Sequence, residues 1–133
     1  MKPGLAIGQT AEVTRLVTAD MRPAFDGVVV HDVYGTAAMV TDMEHAARRI
    51  LLPVLEEHEE GMGVSVSVKH LAPTPVGRQV RAVATLTEFT SRKLVTTVEV
   101  YNEHTKIGEG TVVQAVLPKT AIAARIAEMA ETE

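Results

Sequence analysis

Thr36, Glu44 and His70 put a hydroxyl, a carboxylate and an imidazole into one stretch of this 133-residue sequence. These are the parts of an acyl-transfer site. A hydroxyl can attack a carbonyl, an imidazole can take its proton, and a carboxylate can hold the imidazolium or activate water directly. Each residue also has a plainer reading. Thr36 can cap a helix, Glu44 can be a solvated helix carboxylate, and His70 can be a polar residue closing a strand. The neighbours argue for more. Met43, Ala46 and Ala47 suggest that Glu44 is not fully exposed. Parity places His70 on the face of Val64, Val66 and Val68. His31-Asp32, in the loop that would border such a site, is a weaker competitor.

The elements that would position these residues are legible as changes of period. Thr10 to Met21 alternates partly and reads as a strand ended by Pro23. Ala24 to Gly35 reads as a loop. From Thr36 to Glu57, Met39, Met43, Ala46, Ala47, Ile50, Leu51 and Val54 recur at spacings of three and four, which predicts one long helix. Pro53 would disturb its last turn, and Gly61 closes the element. Gly63 to His70 alternates cleanly, Ala72 to Gly77 is a turn, and further strands run over residues 80–88, 94–101 and 107–117. Their connections lie at Thr90 to Lys93 and Asn102 to Lys106. A short helix follows over Ala121 to Ala130. Short connections imply antiparallel neighbours. The fold class is therefore α+β, a curled antiparallel sheet of about five strands around one long central helix, plus a short C-terminal helix. A single layer leaves a sheet edge and a helix face uncovered, so a homodimer or dimer of dimers is expected.

Helix geometry limits the site. Eight residues separate Thr36 and Glu44 by about 12 Å along the axis and about 80° around it, so the two cannot touch directly. A bridging imidazole, a helix that starts after Thr36, or a second subunit would complete the set, and the sequence leaves all three open. The orphan N–H groups at the helix start suit a developing oxyanion, as at any helix start.

Composition narrows the field. Residues 1–133 read as a single domain with one core. A net charge of −4 and only two Phe and two Tyr argue against nucleic-acid binding. No cysteine means no disulfide, thiolate metal site or cysteine nucleophile. No apolar run reaches membrane-spanning or signal length, and a cytoplasmic location is expected. Glu56-Glu57-His58-Glu59-Glu60 reads as a charged helix end and not as a metal site. Arg48-Arg49 and Lys106 read as solvated cations in preference to phosphate contacts. No metal or cofactor is implied.

Gly35-Thr36-Ala37-Ala38-Met39-Val40 with Met43-Glu44, then Gly63, then Val68-Lys69-His70 before Ala72-Pro73-Thr74-Pro75-Val76-Gly77, and Gly108-Glu109-Gly110-Thr111 as a turn into the last strand, form a pattern. In it the sequence resembles the hot-dog fold thioesterases, in particular the subgroup that includes fluoroacetyl-CoA thioesterase. The resemblance covers roughly Val33 to Val116. It implies a hot-dog fold, catalytic roles for Thr36, Glu44 and His70, and substrate contacts at Gly63 and Gly35. The implied activity is hydrolysis of a short or medium acyl-CoA thioester to free acid and coenzyme A. A hot-dog acyl-CoA hydratase or dehydratase and a non-catalytic acyl-thioester binding domain are the alternatives. Two positions depart from that subgroup. Gly27 to Val30 supplies Gly and Val where it carries an aromatic gate, and Gln114 stands where it has an Arg. The acyl group stays open.

Overall fold

A computed structural model describes residues 1–131. Its strands are β1 (Thr10–Leu16), β2 (Ala24–Phe25), β3 (Val28–Val29), β4 (Glu59–His70), β5 (Gln79–Thr90), β6 (Lys93–Tyr101) and β7 (Lys106–Pro118). Its helices are α1 (Thr36–Leu51) and α2 (Lys119–Ala130). Five strands form one sheet in the spatial order β1-β5-β6-β7-β4, every pair antiparallel. The sheet curls around α1, which touches all five strands. Met39, Met43, Ala46, Ala47, Ile50 and Leu51 turn one stripe of the helix into the core, the face that their spacing predicts. Small residues permit the close approach: Ala82 and Ala84 of β5 are buried with them. On β7, a Cβ at Gly108 would lie 2.9 Å from Cε of Met39, and one at Gly110 would lie 2.8 Å from Cε of Met43. Among the described residues, no helix is long and apolar enough to cross a membrane.

The structure departs from the sequence reading at several boundaries, each with a local cause. β1 stops at Leu16, not Met21. The Thr18 hydroxyl bonds the Asp20 carboxylate, and Ala19–Met21 winds into a 3₁₀ turn. α1 ends at Leu51 and not Glu57, because Pro53 has no N–H to continue the ladder and Leu52–Val54 tightens to 3₁₀ geometry. The acidic run does not end a helix. β4 already begins at Glu59, with Glu59 bonded to the Met1 amino group and Glu60 held bidentately by Arg48. Gly61 therefore sits inside a strand, where a Cβ would meet Leu51 Cδ2 at 2.5 Å. Gly108 to Thr111 is also strand, part of β7, and not a turn before it.

The segment read as a loop before the helix contains a β-hairpin. Phe25 pairs with Val28 across Asp26-Gly27, both with positive φ (52° and 78°), the signature of a type I′ turn. The Asp-Gly pair was the available signal for it.

β4 is an edge strand twelve residues long. It carries a bulge. Gly63 pairs with Gln114 and Ser65 with Val113, so Val64 is an extra residue. The clean period of two is broken there. His70 shares its helix-facing side with Val66, Val68 and Gly63. Val64 is out of phase and 62% exposed.

Candidate active site

Thr36 is not the helix cap. Gly35 occupies the N-cap in extended conformation, and Thr36 is the first helical residue. A side chain at Gly35 would press on the Met21 carbonyl oxygen at 2.9 Å and the Pro23 nitrogen at 3.1 Å. The crowded cap position therefore takes glycine, and the Thr36 hydroxyl is left free of capping. It meets the other end of the fold: Oγ1 lies 2.8 Å from Nδ1 of His70, the last residue of β4. These two residues are 34 apart in sequence, and the helix start and strand end bring them together.

His70 is half-buried, and burial holds its imidazole below the usual histidine range, partly offset by the Ala72 backbone. An imidazole kept neutral at neutral pH can accept the Thr36 proton at Nδ1. Its Nε2 is buried and without a hydrogen-bond partner among the described residues. The N–H groups of Thr36, Ala37 and Ala38 precede the first intrahelical bond, which runs from Met39 to Gly35, and so form a set of orphan donors beside the hydroxyl.

Glu44 stands apart. It is exposed in this chain, against the expectation from its apolar neighbours, because one helical step turns it roughly 100° away from the buried Met43. It makes no hydrogen bond to Thr36 or His70 among the described residues. Its Oε2 hangs over Gly63, where a Cβ would stand 3.0 Å away. Gly63 thus gives the carboxylate room, seven residues before His70 on β4. Directly across the ladder, Gln114 is 6% exposed, and its Nε2 is buried and unpartnered among the described residues.

Two cavities follow from this split. One of about 520 Å³ runs along the helix start, lined by Gly35, Thr36, Ala37, Met21, Pro23, Phe25 and neighbours. A second of about 270 Å³ lies further along α1, lined by Glu44, His45, Arg48, Gly61, Gly63, Val112 and Gln114. Thr41 borders both. Gly27 to Val30 supplies no aromatic ring, yet Phe25, two residues earlier on the hairpin, lines the larger cavity while 67% exposed.

Sequence reasoning missed a buried polar group beside the Thr36–His70 pair. The Tyr34 hydroxyl donates to Oδ2 of Asp42 at 2.5 Å, and Asp42 Oδ1 lies 3.3 Å from Nη1 of Arg15. Asp42 is 2% exposed and Tyr34 is fully buried. An acid at helical spacing with the core residues 39, 43 and 46 was the available signal. His31 and Asp32 are exposed, and the Asp32 carboxylate bonds Arg22 at 3.4 Å and neither Thr36 nor His70 among the described residues. Arg48 bonds Glu60, Arg49 bonds the Glu12 carbonyl, and Lys106 bridges Glu99 and Glu109.

Comparison with known proteins places this arrangement. Residues 17–120 match the family model described as fluoroacetyl-CoA-specific thioesterase. A fluoroacetyl-CoA thioesterase of Streptantibioticus cattleyicolor is 36% identical over 86 residues. That match spans 65% of this chain and 62% of the relative, less than two thirds of its length. The crystal structure of a Thermus thermophilus thioesterase superfamily member superposes with a TM-score of 0.92 at 39% identity, covering 97% of this chain and 95% of the other. A fluoroacetyl-CoA thioesterase structure superposes with a TM-score of 0.90 at 26% identity, covering 97% and 100%. With its curled sheet, its central helix and a family match over most of its length, the chain belongs to the fluoroacetyl-CoA-specific thioesterase family and has the hot-dog fold.

Proposed function

We propose that this protein is an acyl-CoA thioesterase that hydrolyses a short or medium acyl thioester. The observation that carries the reading is the 2.8 Å contact between Thr36 Oγ1 and His70 Nδ1 at a helix start, in a member of this family. His70 takes a proton from Thr36, or from a water in its place, and the oxygen adds to the thioester carbonyl. The orphan N–H groups of the first helical turn receive the developing oxyanion. When the carbon–sulfur bond breaks, the imidazolium returns the proton to the coenzyme A thiolate. An acyl-Thr36, if formed, is hydrolysed by water through the same base. Gly35 and Gly63 keep backbone close to the substrate.

Glu44 joins this site from a second copy. In one chain Gly63 and His70 are separated by about 20 Å along β4, at roughly 3.3 Å per paired residue, so Glu44 over Gly63 is out of reach of His70. The free β4 edge, with exposed Met62, Val64 and Val66, is suited to antiparallel pairing with itself. Pairing centred on Ser67, with Val66 against Val68, sets Gly63 of the partner subunit across from His70 once the extra residue Val64 is passed over. The Val64 bulge puts both positions on the helix side of the sheet. The functional unit is then a homodimer with two composite sites.

The test is a panel of acyl-CoA thioesters assayed for free thiol, with wild type against His70→Ala and Glu44→Ala. Turnover by wild type falls by about a hundredfold or more in His70→Ala, the scale of a lost general base. Equal turnover in both variants and wild type removes the assignment. Mass spectrometry of quenched enzyme separates the two routes, since only the covalent one leaves an acyl group on Thr36.

A further inference from the structure

Tyr34 touches three parts of the site at once. It is bonded through the chain to Gly35 and Thr36, and its backbone N–H donates to the Thr74 carbonyl at 2.8 Å. Its hydroxyl reaches across the first turns of α1 to Asp42 at 2.5 Å, with the Ala38 carbonyl at 3.4 Å. Its ring stands nearly perpendicular to the His70 imidazole, at 74° with centroids 6.5 Å apart.

Stability alone does not account for this group. Taking a carboxylate and a phenol out of water is costly, and well-packed apolar side chains of similar volume commonly do as well or better. Here the carboxylate is almost wholly enclosed, and among the described residues only Arg15, partly in solvent with 39% of its side chain exposed, supplies the countercharge. What the group adds is direction. A Phe could turn and slide in this pocket, whereas the Tyr34 ring is fixed at its far end by a charge-assisted hydrogen bond. The face that this ring presents to His70 is fixed with it.

We propose that Tyr34, anchored through Asp42 to Arg15, is a positioning residue that holds the His70 imidazole in the rotamer that presents Nδ1 to Thr36, whose hydroxyl then fixes the tautomer. The kinetic side of this inference rests on the thioesterase reading. The structural side concerns the imidazole alone and can be measured without any substrate.

The experiment is nitrogen-15 NMR of the imidazoles at pH 8 in wild type, Tyr34→Phe and Asp42→Asn, with His70→Gln to assign the His70 signals among the five histidines. Wild type is expected to show one tautomer at His70, with Nδ1 unprotonated. Tyr34→Phe, which keeps the ring and loses its anchor, is expected to show the averaged shifts of two tautomers. Asp42→Asn, which keeps an acceptor for the Tyr34 hydroxyl but loses the charge and the Arg15 ion pair, is expected to fall between wild type and Tyr34→Phe. In thiol-release assays Tyr34→Phe should lose about tenfold or more in kcat with KM within twofold, as small misplacements of a reacting group do, and Asp42→Asn should lose less than Tyr34→Phe. If Tyr34→Phe does not fold, Arg15→Met loosens the same anchor from its solvent end and is expected to shift the His70 signals in the same direction. Wild-type His70 signals in a folded Tyr34→Phe, or in Arg15→Met if that is the variant available, overturn the positioning role. A wild type that releases no thiol from any acyl-CoA removes the thioesterase reading and leaves this measurement decisive.

Discussion

At the scale of residues, the site turns on an imidazole that burial keeps neutral. The pH dependence follows with a definite sign. His70 accepts a proton only when uncharged, and its burial lowers the pH at which it charges. The kcat/KM of thioester hydrolysis should therefore rise with pH through a midpoint below about 6.5, the ordinary histidine value, and be level through neutrality. A midpoint at or above that value in a pH–rate profile would count against His70 as the base. The same residues show what could be read ahead of the structure. Thr36 and His70 were legible as candidates, since hydroxyl and imidazole chemistry is visible in residue type, and the fold sets them 2.8 Å apart. Glu44 was placed less well. Its neighbours in sequence, Met43 and Ala46, face the core, and one step along a helix turns a side chain by roughly 100° away from them. Of the Tyr34–Asp42–Arg15 group only Asp42 had a signal, its spacing from the core residues Met39 and Ala46, because Arg15 comes from another element and only the folded chain sets it beside Asp42.

At the scale of elements, the long helix and the four later strands follow from period, and their order follows from short connections. The ends were harder. Pro53, the Thr18–Asp20 bond and the Arg48–Glu60 pair each move a boundary by interactions that hydropathy does not register. The close packing of β4, β7 and α1 depends on Gly110, where a Cβ would overlap the Ser67 carbonyl oxygen and press on Met43. Gly110→Ala should therefore destabilise the fold by about 3 kcal/mol, the upper range for overpacking a tight contact, seen as a lower urea midpoint. Wild-type stability in that variant would mean that the two strands separate there at little cost.

At the scale of the whole molecule, the proposed dimer divides each site between two chains. Mixing subunits tests this directly. A His70→Ala chain and a Glu44→Ala chain, each weakly active alone, would form a heterodimer in which one composite site has every residue intact. That species should recover about half the activity of wild type, since one of its two symmetric sites is whole. No recovery in heterodimers verified by mass would place Glu44 with His70 in the same chain, or outside the chemistry. Sequence reasoning expected a second copy from an uncovered sheet edge and helix face, while helix arithmetic left a second subunit as one of three ways to complete the site. The register that would join the copies depends on the bulge.

The extra residue at Val64 also governs how this protein can change in length. A strand without it would have six steps where there are now seven, and every side chain before that point would keep its place only because the bulge had absorbed the odd one. Deleting any single residue between Gly63 and His70 is therefore tolerated in one way only, by consuming the bulge. Inserting one requires a second bulge, without which inside and outside are reversed for half of the strand. Relatives that differ here by one residue should be shorter, not longer.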